Sequence, residues 1–187
     1  MGPLIEKNHH LVVLASGENR PGLLDALLTV ASSCQCYVSD TRMVLLGNSF
    51  VMSCQLTGIW SSIAKVEVML PQAAKPLGLH LEIRRTFYEQ NDKPFIPYSV
   101  QIIGVDEIGI ASEVVNFFSK QGFEITEFLA EPFQIPHAKT RMLTLTLTLH
   151  VPPKTPIANV REGFLTFCDD KNLDGLLEPF KPPLRAV

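Results

Sequence analysis

The sequence predicts an α+β fold of two tandem modules, each with the element order β-α-β-β-α-β and an antiparallel sheet covered by helices on one face. One observation is that a strand–turn–helix segment occurs twice, at 11–33 and at 98–120, with Gly109 of the second turn 87 residues after Gly22 of the first. Another is that the later strands alternate apolar and polar residues, as strands with one solvated face do. A spacing this long indicates a duplicated domain and not a solenoid.

The duplication divides the 187-residue chain into two domains of similar size. The segment YEQNDKPFIP at 88–97 is polar and contains prolines, which is typical of a linker. We therefore expect a first domain at 1–87 and a second at 98–187. A domain of this size buries only roughly 60–65% of its unfolded surface. We expect the halves to pack on each other, on a second chain as a homo-oligomer, or on both.

The first module begins with a strand and an amphipathic helix. Residues 11–16 are apolar on both faces, which indicates a central strand. The apolar residues after the turn recur at i, i+3, i+4, i+7, i+8 and i+11, which is one stripe of a helix. Pro21 suits the first helical turn because its missing N–H has no partner there. The stripe consists of Leu23, Ala26, Leu27, Val30, Ala31 and Cys34.

The rest of the first module is expected to contain a hairpin, a second helix and a last strand. The hairpin turn is of the type that has glycine first, serine hydroxyls can cap the helix, and a proline is expected to end or bend it. In chain order these elements are a strand at 37–46, the turn Gly47-Asn48, a strand at 50–57, a helix from Ser61 or Ser62 to Pro71, and a strand at 79–84.

The second module repeats this order with a longer connection in place of the tight hairpin. Leu143 to Leu149 alternates leucine with threonine, which is a period of two. The elements are a strand through Val100 and Ile102, a helix striped by Ile110, Val114, Phe117 and Phe118, a strand at 125–131, a loop at 132–139, the strand at 143–149, a helix capped by Thr155 and opened by Pro156, and a strand at 173–180. Both modules therefore have the ferredoxin-like arrangement.

Composition is that of an ordinary globular protein, with 46% hydrophobic and 19% charged residues. The net charge of −3 argues against nonspecific nucleic-acid binding, which needs clustered Lys and Arg. No apolar run reaches the roughly 18–20 residues of a membrane span. The first ten residues, MGPLIEKNHH, lack the layout of a signal peptide. We therefore expect a cytoplasmic protein without membrane or direct DNA contacts.

The cysteines and histidines give little sign of a metal site, a cofactor or catalysis. The four cysteines form no C-x-x-C pair, and we expect them to be buried small hydrophobes, with metal or redox chemistry as the alternative. The five histidines are scattered, with His9-His10 at a strand edge and His137 in a loop. No nucleophile, phosphate-loop or zinc-protease motif is found.

The turns between the first strand and the first helix are the best candidates for a site. Free N–H groups and the positive dipole end of a helix N-terminus attract a carboxylate, and Gly22 and Gly109 let a small ligand approach the backbone. An acidic or amide side chain there could accept bonds from an ammonium group. Such a site suits a free amino acid; the alternative is ordinary helix capping. The turns are Asn19, Arg20, Pro21, Gly22 and Leu23, and Asp106, Glu107, Ile108, Gly109 and Ile110.

The N-R-P-G-L turn after a first strand resembles the D-R-P-G turn of ACT domains, a family of regulatory modules. The resemblance implies amino-acid binding at the turn, often across a domain interface. Two residues depart from the family pattern: Asn19 replaces the aspartate, and Ile108 replaces the proline in the second copy.

In ACT modules the residues that open the second strand also line the ligand pocket. Ser39 and Asp40 stand at these positions in the first copy, and Thr126 and Glu127 in the second. The resemblance thus implies that Asp40 supplies the carboxylate that Asn19 cannot. The alternative is a surface aspartate that pairs with Arg42.

The stretch from Ser32 to Pro71 resembles in particular the first domain of the glycine cleavage system transcriptional repressors, a bacterial family with two tandem ACT domains. That resemblance covers nearly the whole chain and is stronger in the first half. It implies a non-enzymatic repressor of the glycine cleavage operon that contacts a LysR-type activator protein and senses glycine or another small amino acid.

Two other functions remain open from the sequence. One is an ACT-type regulatory subunit of an amino-acid metabolic enzyme, which would share the module and differ in its partner. The other is an acylphosphatase-like hydrolase, because ferredoxin-like folds also host enzymes. Such an enzyme needs an arginine and an amide at a phosphate cradle, and Arg20 and Asn19 offer that pair weakly.

Overall fold

The computed structural model describes residues 8–87, 94–136 and 140–180, and the chain divides into two compact units, Met1–Gln90 and Asn91–Val187. The first unit contains β1 (His9–Glu18), α1 (Leu23–Ser33), β2 (Tyr37–Leu46), β3 (Ser49–Gly58), α2 (Trp60–Ala74), a 3-10 turn (Lys75–Leu77) and β4 (His80–Thr86). The second contains β5 (Ile96–Val105), α3 (Ile110–Ser119), β6 (Glu124–Gln134), β7 (Arg141–Val151), α4 (Ile157–Asp170) and β8 (Asp174–Pro179).

Each unit forms one four-stranded antiparallel sheet. The strand order is β2-β3-β1-β4 in the first unit and β6-β7-β5-β8 in the second, so corresponding strands occupy corresponding places. The first strand of each module lies in the centre of its sheet, as its apolar sequence predicts. The α+β fold of two tandem β-α-β-β-α-β modules is confirmed.

The core of the first module lies between one sheet face and its two helices. Alternate residues of β1 and β3 point into it, and both helices bury one stripe each. Burying a large aliphatic side chain contributes about 1.5–3 kcal/mol, so these stripes dominate the stability of the module. The sheet residues of the core are Leu11, Val13, Ala15, Phe50, Met52, Cys54 and Leu56, and the helix residues include Leu23, Leu27, Ala31, Ile63, Val66 and Leu70.

The second module has a more aromatic core. Phe118 of α3 and Phe164 of α4 are fully buried, with their ring centroids 5.4 Å apart. Phe117 packs edge-on against Phe118 at 5.0 Å and also against Phe167 at 5.1 Å. The leucines of β7 all face this core, whereas the threonines between them face away. The alternation of leucine and threonine therefore indicates which face of β7 is buried against the helices.

One glycine in the first strand of each module lies directly under a leucine side chain. A Cβ atom on Gly17 would lie 2.8 Å from Leu79 Cδ2 and 3.0 Å from the Gly78 carbonyl oxygen, and one on Gly104 would overlap Leu173 Cδ2. In both modules the residue just before the last strand packs over this glycine. Packing of that residue thus explains why glycine recurs at positions 17 and 104.

Several predicted helix ends are wrong. α2 begins at Trp60 with Ile59 as N-cap and no side-chain cap, so neither Ser61 nor Ser62 caps it. Pro71 lies inside α2, because the burial of Leu70 before it and of Ala74 after it stabilises the helix across this position.

The start of α4 also differs from the prediction. Its N-cap is Pro156, without a side-chain cap, so the hydroxyl of Thr155 lies one residue too early in the chain. In the first module, Pro21 lies in the turn before α1 and not in the helix.

Two strand boundaries in the second module also differ from the prediction. β6 continues to Gln134, three residues into the predicted loop. It does so because the neighbouring strand β7 already begins at Arg141 and pairs with these residues. β5 begins at Ile96, inside the predicted linker. The rest of the linker at 88–93, and His137 with its neighbours to 139, lie outside the described residues.

Gly175→Ala should destabilise the second module by about 1–3 kcal/mol, because overpacking a filled core forces neighbours out of place. A Cβ on Gly175 would overlap Cys168 Sγ and would lie 2.8 Å from the Phe164 ring. The matched control is Gly163→Ala in α4, where the new methyl group meets only Phe117 at 3.9 Å. The control should stabilise by about 0.5–1 kcal/mol. Urea unfolding followed by circular dichroism measures both, and shifts of the same sign would contradict this packing.

Candidate functional site

The turn of the first module exposes an uncapped helix N-terminus. Gly22 is the N-cap of α1 with a left-handed φ of 91°, and no side chain caps the helix. Asn19, Arg20 and Pro21 are exposed, whereas Leu23 is buried and contributes only its backbone. The first N–H groups of α1 therefore face solvent and can bind an anionic group.

The turn of the second module has the same backbone with a different environment. Gly109 is the N-cap of α3 with φ 97°, again without a side-chain cap, and Ile110 begins the helix. The Asp106 carboxylate forms an ion pair with Arg141, with Oδ2 and Nε 2.6 Å apart. Ile108 is fully exposed. A ligand ammonium group would have to compete with Arg141 for Asp106.

The same hydrogen bond fixes both turns to the hairpin beside them. The Asn19 N–H donates to the Asn48 carbonyl at 2.9 Å, and the Asp106 N–H donates to the Arg141 carbonyl at 3.0 Å. Arg141 follows a long connection in the sequence, so its pairing with Asp106 was not apparent from spacing.

The two turns differ in charge. In the first, Arg20 reaches back to the Pro76 carbonyl, with 3.4 Å between Nη2 and the oxygen, and leaves most of its guanidinium exposed. In the second, Glu107 stands at the corresponding position. A cation beside free N–H groups favours a carboxylate, so the first turn is the better anion site of the two.

The second pair of candidate residues in each module lies on a β-bulge. The ladder between β2 and β3 shifts between Val38 and Asp40, and the ladder between β6 and β7 shifts between Ile125 and Glu127. The extra residue is therefore Ser39 in one module and Thr126 in the other. Bulges often redirect side chains next to functional sites. Nothing but the shared hydroxyl at both positions marks these bulges in the sequence.

Both bulges hold hydroxyl and carboxylate groups at the surface. The Ser39 hydroxyl forms a hydrogen bond with the Thr57 hydroxyl. Asp40 Oδ1 lies 2.5 Å from Arg42 Nη1, and this ion pair is the predicted alternative to a ligand-binding role for Asp40. In the second module, Thr126 Oγ1 donates to the Thr148 carbonyl at 3.2 Å, and Thr148 Oγ1 donates to Glu127 at 3.0 Å.

The bulge and the turn of one module lie at opposite ends of the sheet. Asp40 pairs with Gln55, which pairs with Val12 near the start of β1, whereas the turn follows Glu18 at the end of β1. Six residues of strand separate the two positions, which is roughly 20 Å. Asp40 therefore cannot complete the Asn19 turn of its own module. Glu127, which pairs through Thr148 with Ser99, is likewise separated from the turn after Val105.

The cavities differ in their relation to the candidate residues. A groove of about 620 Å³ lies between α3 and α4, with Phe117, Val160, Gly163 and Phe167 among its lining residues, and it touches none of the predicted site residues. A hollow of about 170 Å³ on the first sheet is lined by Asp40, Arg42 and Gln55 among others. Of the two, only the hollow adjoins a predicted ligand residue.

No metal centre or membrane helix is found in the described parts of the chain. Within residues 8–87, 94–136 and 140–180, no three His, Cys, Asp or Glu side chains are grouped to hold a metal ion. None of the helices there is long and apolar enough to cross a bilayer. All four cysteines are free thiols in the buried cores, as the sequence predicts.

Comparison with known proteins identifies the class of module. Residues 9–84 match the family model described as the ACT domain. The first module therefore matches the ACT domain over nearly its whole length, and the second module repeats its strand order.

The chain as a whole is similar to the glycine cleavage system transcriptional repressor of Escherichia coli strain K12, with 27% identity over 173 residues that cover 91% of this chain and 90% of the repressor. It also resembles the crystal structure of an unknown protein from Galdieria sulphuraria, with a TM-score of 0.79, 20% identity and coverage of 94% and 100%. A crystal structure described as a candidate glycine cleavage system transcriptional repressor matches with a TM-score of 0.67, 21% identity and coverage of 93% and 98%. These two structural matches concern the fold.

Cys168 should be unreactive in the folded chain. Burial, together with the negative charges of Asp169 and Asp174, raises the pKa of its thiol to about 11. Only about 0.1% would then be thiolate at pH 8, and alkylation should speed up about tenfold per pH unit up to that pKa. Iodoacetamide labelling read by mass spectrometry at Cys168 tests this, with the urea-unfolded chain as control. Equal labelling rates for folded and unfolded chain at pH 8 would contradict it.

Proposed function

We propose that the chain is a non-enzymatic regulator that represses transcription by contact with a second protein. The observation that carries this proposal is the similarity to a transcriptional repressor over 91% of the chain, which includes both modules. The ACT domain of the first module agrees with a regulatory role. The partner we propose is a LysR-type activator protein, since the net charge of −3 disfavours direct binding to DNA.

We further propose that a small amino acid such as glycine controls this contact. Its carboxylate would bind the uncapped N–H groups of α1, with Arg20 adding an exposed positive charge. Gly22 has open space where a Cβ would be, so a ligand can reach these N–H groups.

The ammonium group of the same ligand needs an anionic partner, and Asn19 carries no charge. Asp40 is a suitable carboxylate, because its pair with Arg42 is exposed at 61% and 64% and such pairs contribute only about 0–1 kcal/mol. Since Asp40 is remote from the turn of its own module, one ligand would contact both only when they come from different chains. Ligand binding would then favour association of chains.

Gly22→Val should weaken glycine binding by about tenfold or more, since a branched side chain would block the approach to the N–H groups of α1. The backbone at φ 91° also disfavours valine, so a control with the same strain is needed. Gly122→Val provides it: Gly122 has φ 76° and equally open space, at the far end of α3 in the other module. Titration calorimetry with glycine, serine and alanine compares both variants with the wild-type chain.

Two outcomes would contradict the sensing proposal. One is the absence of heat and of a melting shift with the wild-type chain at millimolar amino acid. The other is equal affinity in the Gly22→Val and Gly122→Val variants, which would move the site away from this turn.

The partner proposal is tested by affinity capture with the full chain as bait, with and without glycine, and identification by mass spectrometry. A LysR-type activator whose recovery changes with glycine is the expected result. Recovery of an amino-acid metabolic enzyme would instead favour the alternative of an ACT-type regulatory subunit. The Gly22→Val chain serves as the bait that should no longer respond to glycine.

A further inference from the structure

A groove at the surface of the second module runs between α3 and α4. Its volume is about 620 Å³, within the roughly 300–1,000 Å³ of small-molecule sites. Its lining residues lie between 113 and 121, on α3 and the turn after it, and between 159 and 167 on α4. The candidate turns and bulges lie outside this lining, so the proposed function does not use the groove.

The apolar part of the groove is aromatic. Phe117 and Phe167 have their ring centroids 5.1 Å apart and their planes inclined by 30°. Both residues are half-buried, so each ring keeps an accessible part. A Cβ on Gly163 would meet only Phe117 Cζ, at 3.9 Å, so space is open beside the rings. Aromatic rings pack favourably at centroid distances of about 4.5–7 Å, and a flat ring therefore suits this space.

The helices of the first module pack more closely together than those of the second. Cys34 at the end of α1 lies against α2, with its Sγ 3.5 Å from Met69 Sδ. Gln121, which follows Cys34 by the 87 residues of the repeat, lines the groove instead. At the same spacing, Phe117 replaces Val30. The aromatic groove is therefore a property of the second module and not a consequence of the fold.

The charged residues of the groove favour an anionic ligand. Glu113, the acid among the lining residues, pairs with Lys171, with Oε2 and Nζ 2.5 Å apart. Lys120, the cation among them, is exposed and forms no ion pair with any residue that the structure describes. The negative charge is thus compensated, whereas the positive charge remains available to a ligand carboxylate.

The uncharged polar groups and the length of the groove also restrict its occupant. Asn116 and Asn159 contribute amides, which both donate and accept hydrogen bonds. Along α3 the groove extends from Glu113 to Lys120, which is about 10 Å. An average helix is roughly 15–20 Å long, so the groove suits a small molecule better than a helix of a partner protein.

We infer that this groove binds a small aromatic monocarboxylate, whose ring packs on Phe117 and Phe167 and whose carboxylate pairs with Lys120. Phe117 and Lys120 are three residues apart on α3, so their side chains lie on the same face of the helix. A free amino acid is a poorer ligand here, because its ammonium group would compete with Lys171 for Glu113. The site is thus distinct from the proposed glycine site and does not depend on it.

The probe is 2-naphthoate, titrated into the ¹⁵N-labelled full chain and followed by proton–nitrogen correlation spectra. Saturable shifts are expected for the Gly163 backbone amide and for the side-chain amides of Asn116 and Asn159. Lys120→Gln should weaken binding about threefold to fivefold, since an exposed ion pair contributes only modestly. Lys65→Gln, at an exposed lysine of α2 with the same change in charge, should stay within about twofold of wild type. The neutral 2-naphthamide should bind the wild-type chain more weakly than 2-naphthoate.

A second variant fills the groove without a change in charge. Gly163→Leu should weaken 2-naphthoate binding about tenfold or more, because the new side chain occupies the space beside the rings. Its control is Ala158→Leu, at an exposed position of α4 outside the lining, and circular dichroism checks that both variants are folded.

Three results would overturn the inference. They are the absence of saturable shifts at millimolar 2-naphthoate, equal losses in Lys120→Gln and Lys65→Gln, and unchanged binding in Gly163→Leu. Failure of glycine to bind at the Gly22 turn would refute the sensing proposal and leave the 2-naphthoate result unaffected.

Discussion

Both modules depend on one constraint: two helices can cover only one face of a four-stranded sheet. The alternation of β3 and β7 follows from it, because every second residue must be apolar and the others meet solvent. The edge strands β2 and β6 lie almost wholly outside the covered region, so both of their faces stay exposed. The helices of each module therefore leave one sheet face and an outer strand uncovered.

Comparison of the two copies distinguishes residues that the fold requires from residues that differ between the copies. Gly17 and Gly104 are equivalent because a residue before the last strand packs over both, and Gly22 and Gly109 are equivalent because each starts a helix with a positive φ. The charges do not follow the repeat. Arg20 corresponds to Glu107, and Arg42 on β2 corresponds to Leu129 on β6. The two copies thus keep one backbone and have divergent surfaces.

Sequence patterns predicted most of the fold, since strand alternation and the helix stripe are direct consequences of one-sided burial. These patterns failed where packing or pairing with a neighbouring element determines where a helix or strand ends. Pro71 remains within α2 because the buried residues around it hold the helix, and β6 lengthens because β7 is there to pair with it. The candidate turns were placed correctly between strand and helix, but the 20 Å between bulge and turn follows from register and topology, which single residues do not encode.

That separation constrains how an amino acid could act on the protein. A zwitterion spans only a few ångströms, so under the proposed function it can join the Asn19 turn to Asp40 only when these belong to two different chains. Binding and association would then be thermodynamically linked, and the ligand would stabilise the associated state by RT ln(1 + [L]/Kd), about 2.7 kcal/mol at a hundredfold excess over Kd. A weak ligand present at high concentration is sufficient for such a switch, because the shift depends on the ratio of concentration to Kd and not on tight binding. The exposed Asp40–Arg42 pair fits this requirement, since opening it costs little and the site can respond to changes in ligand concentration.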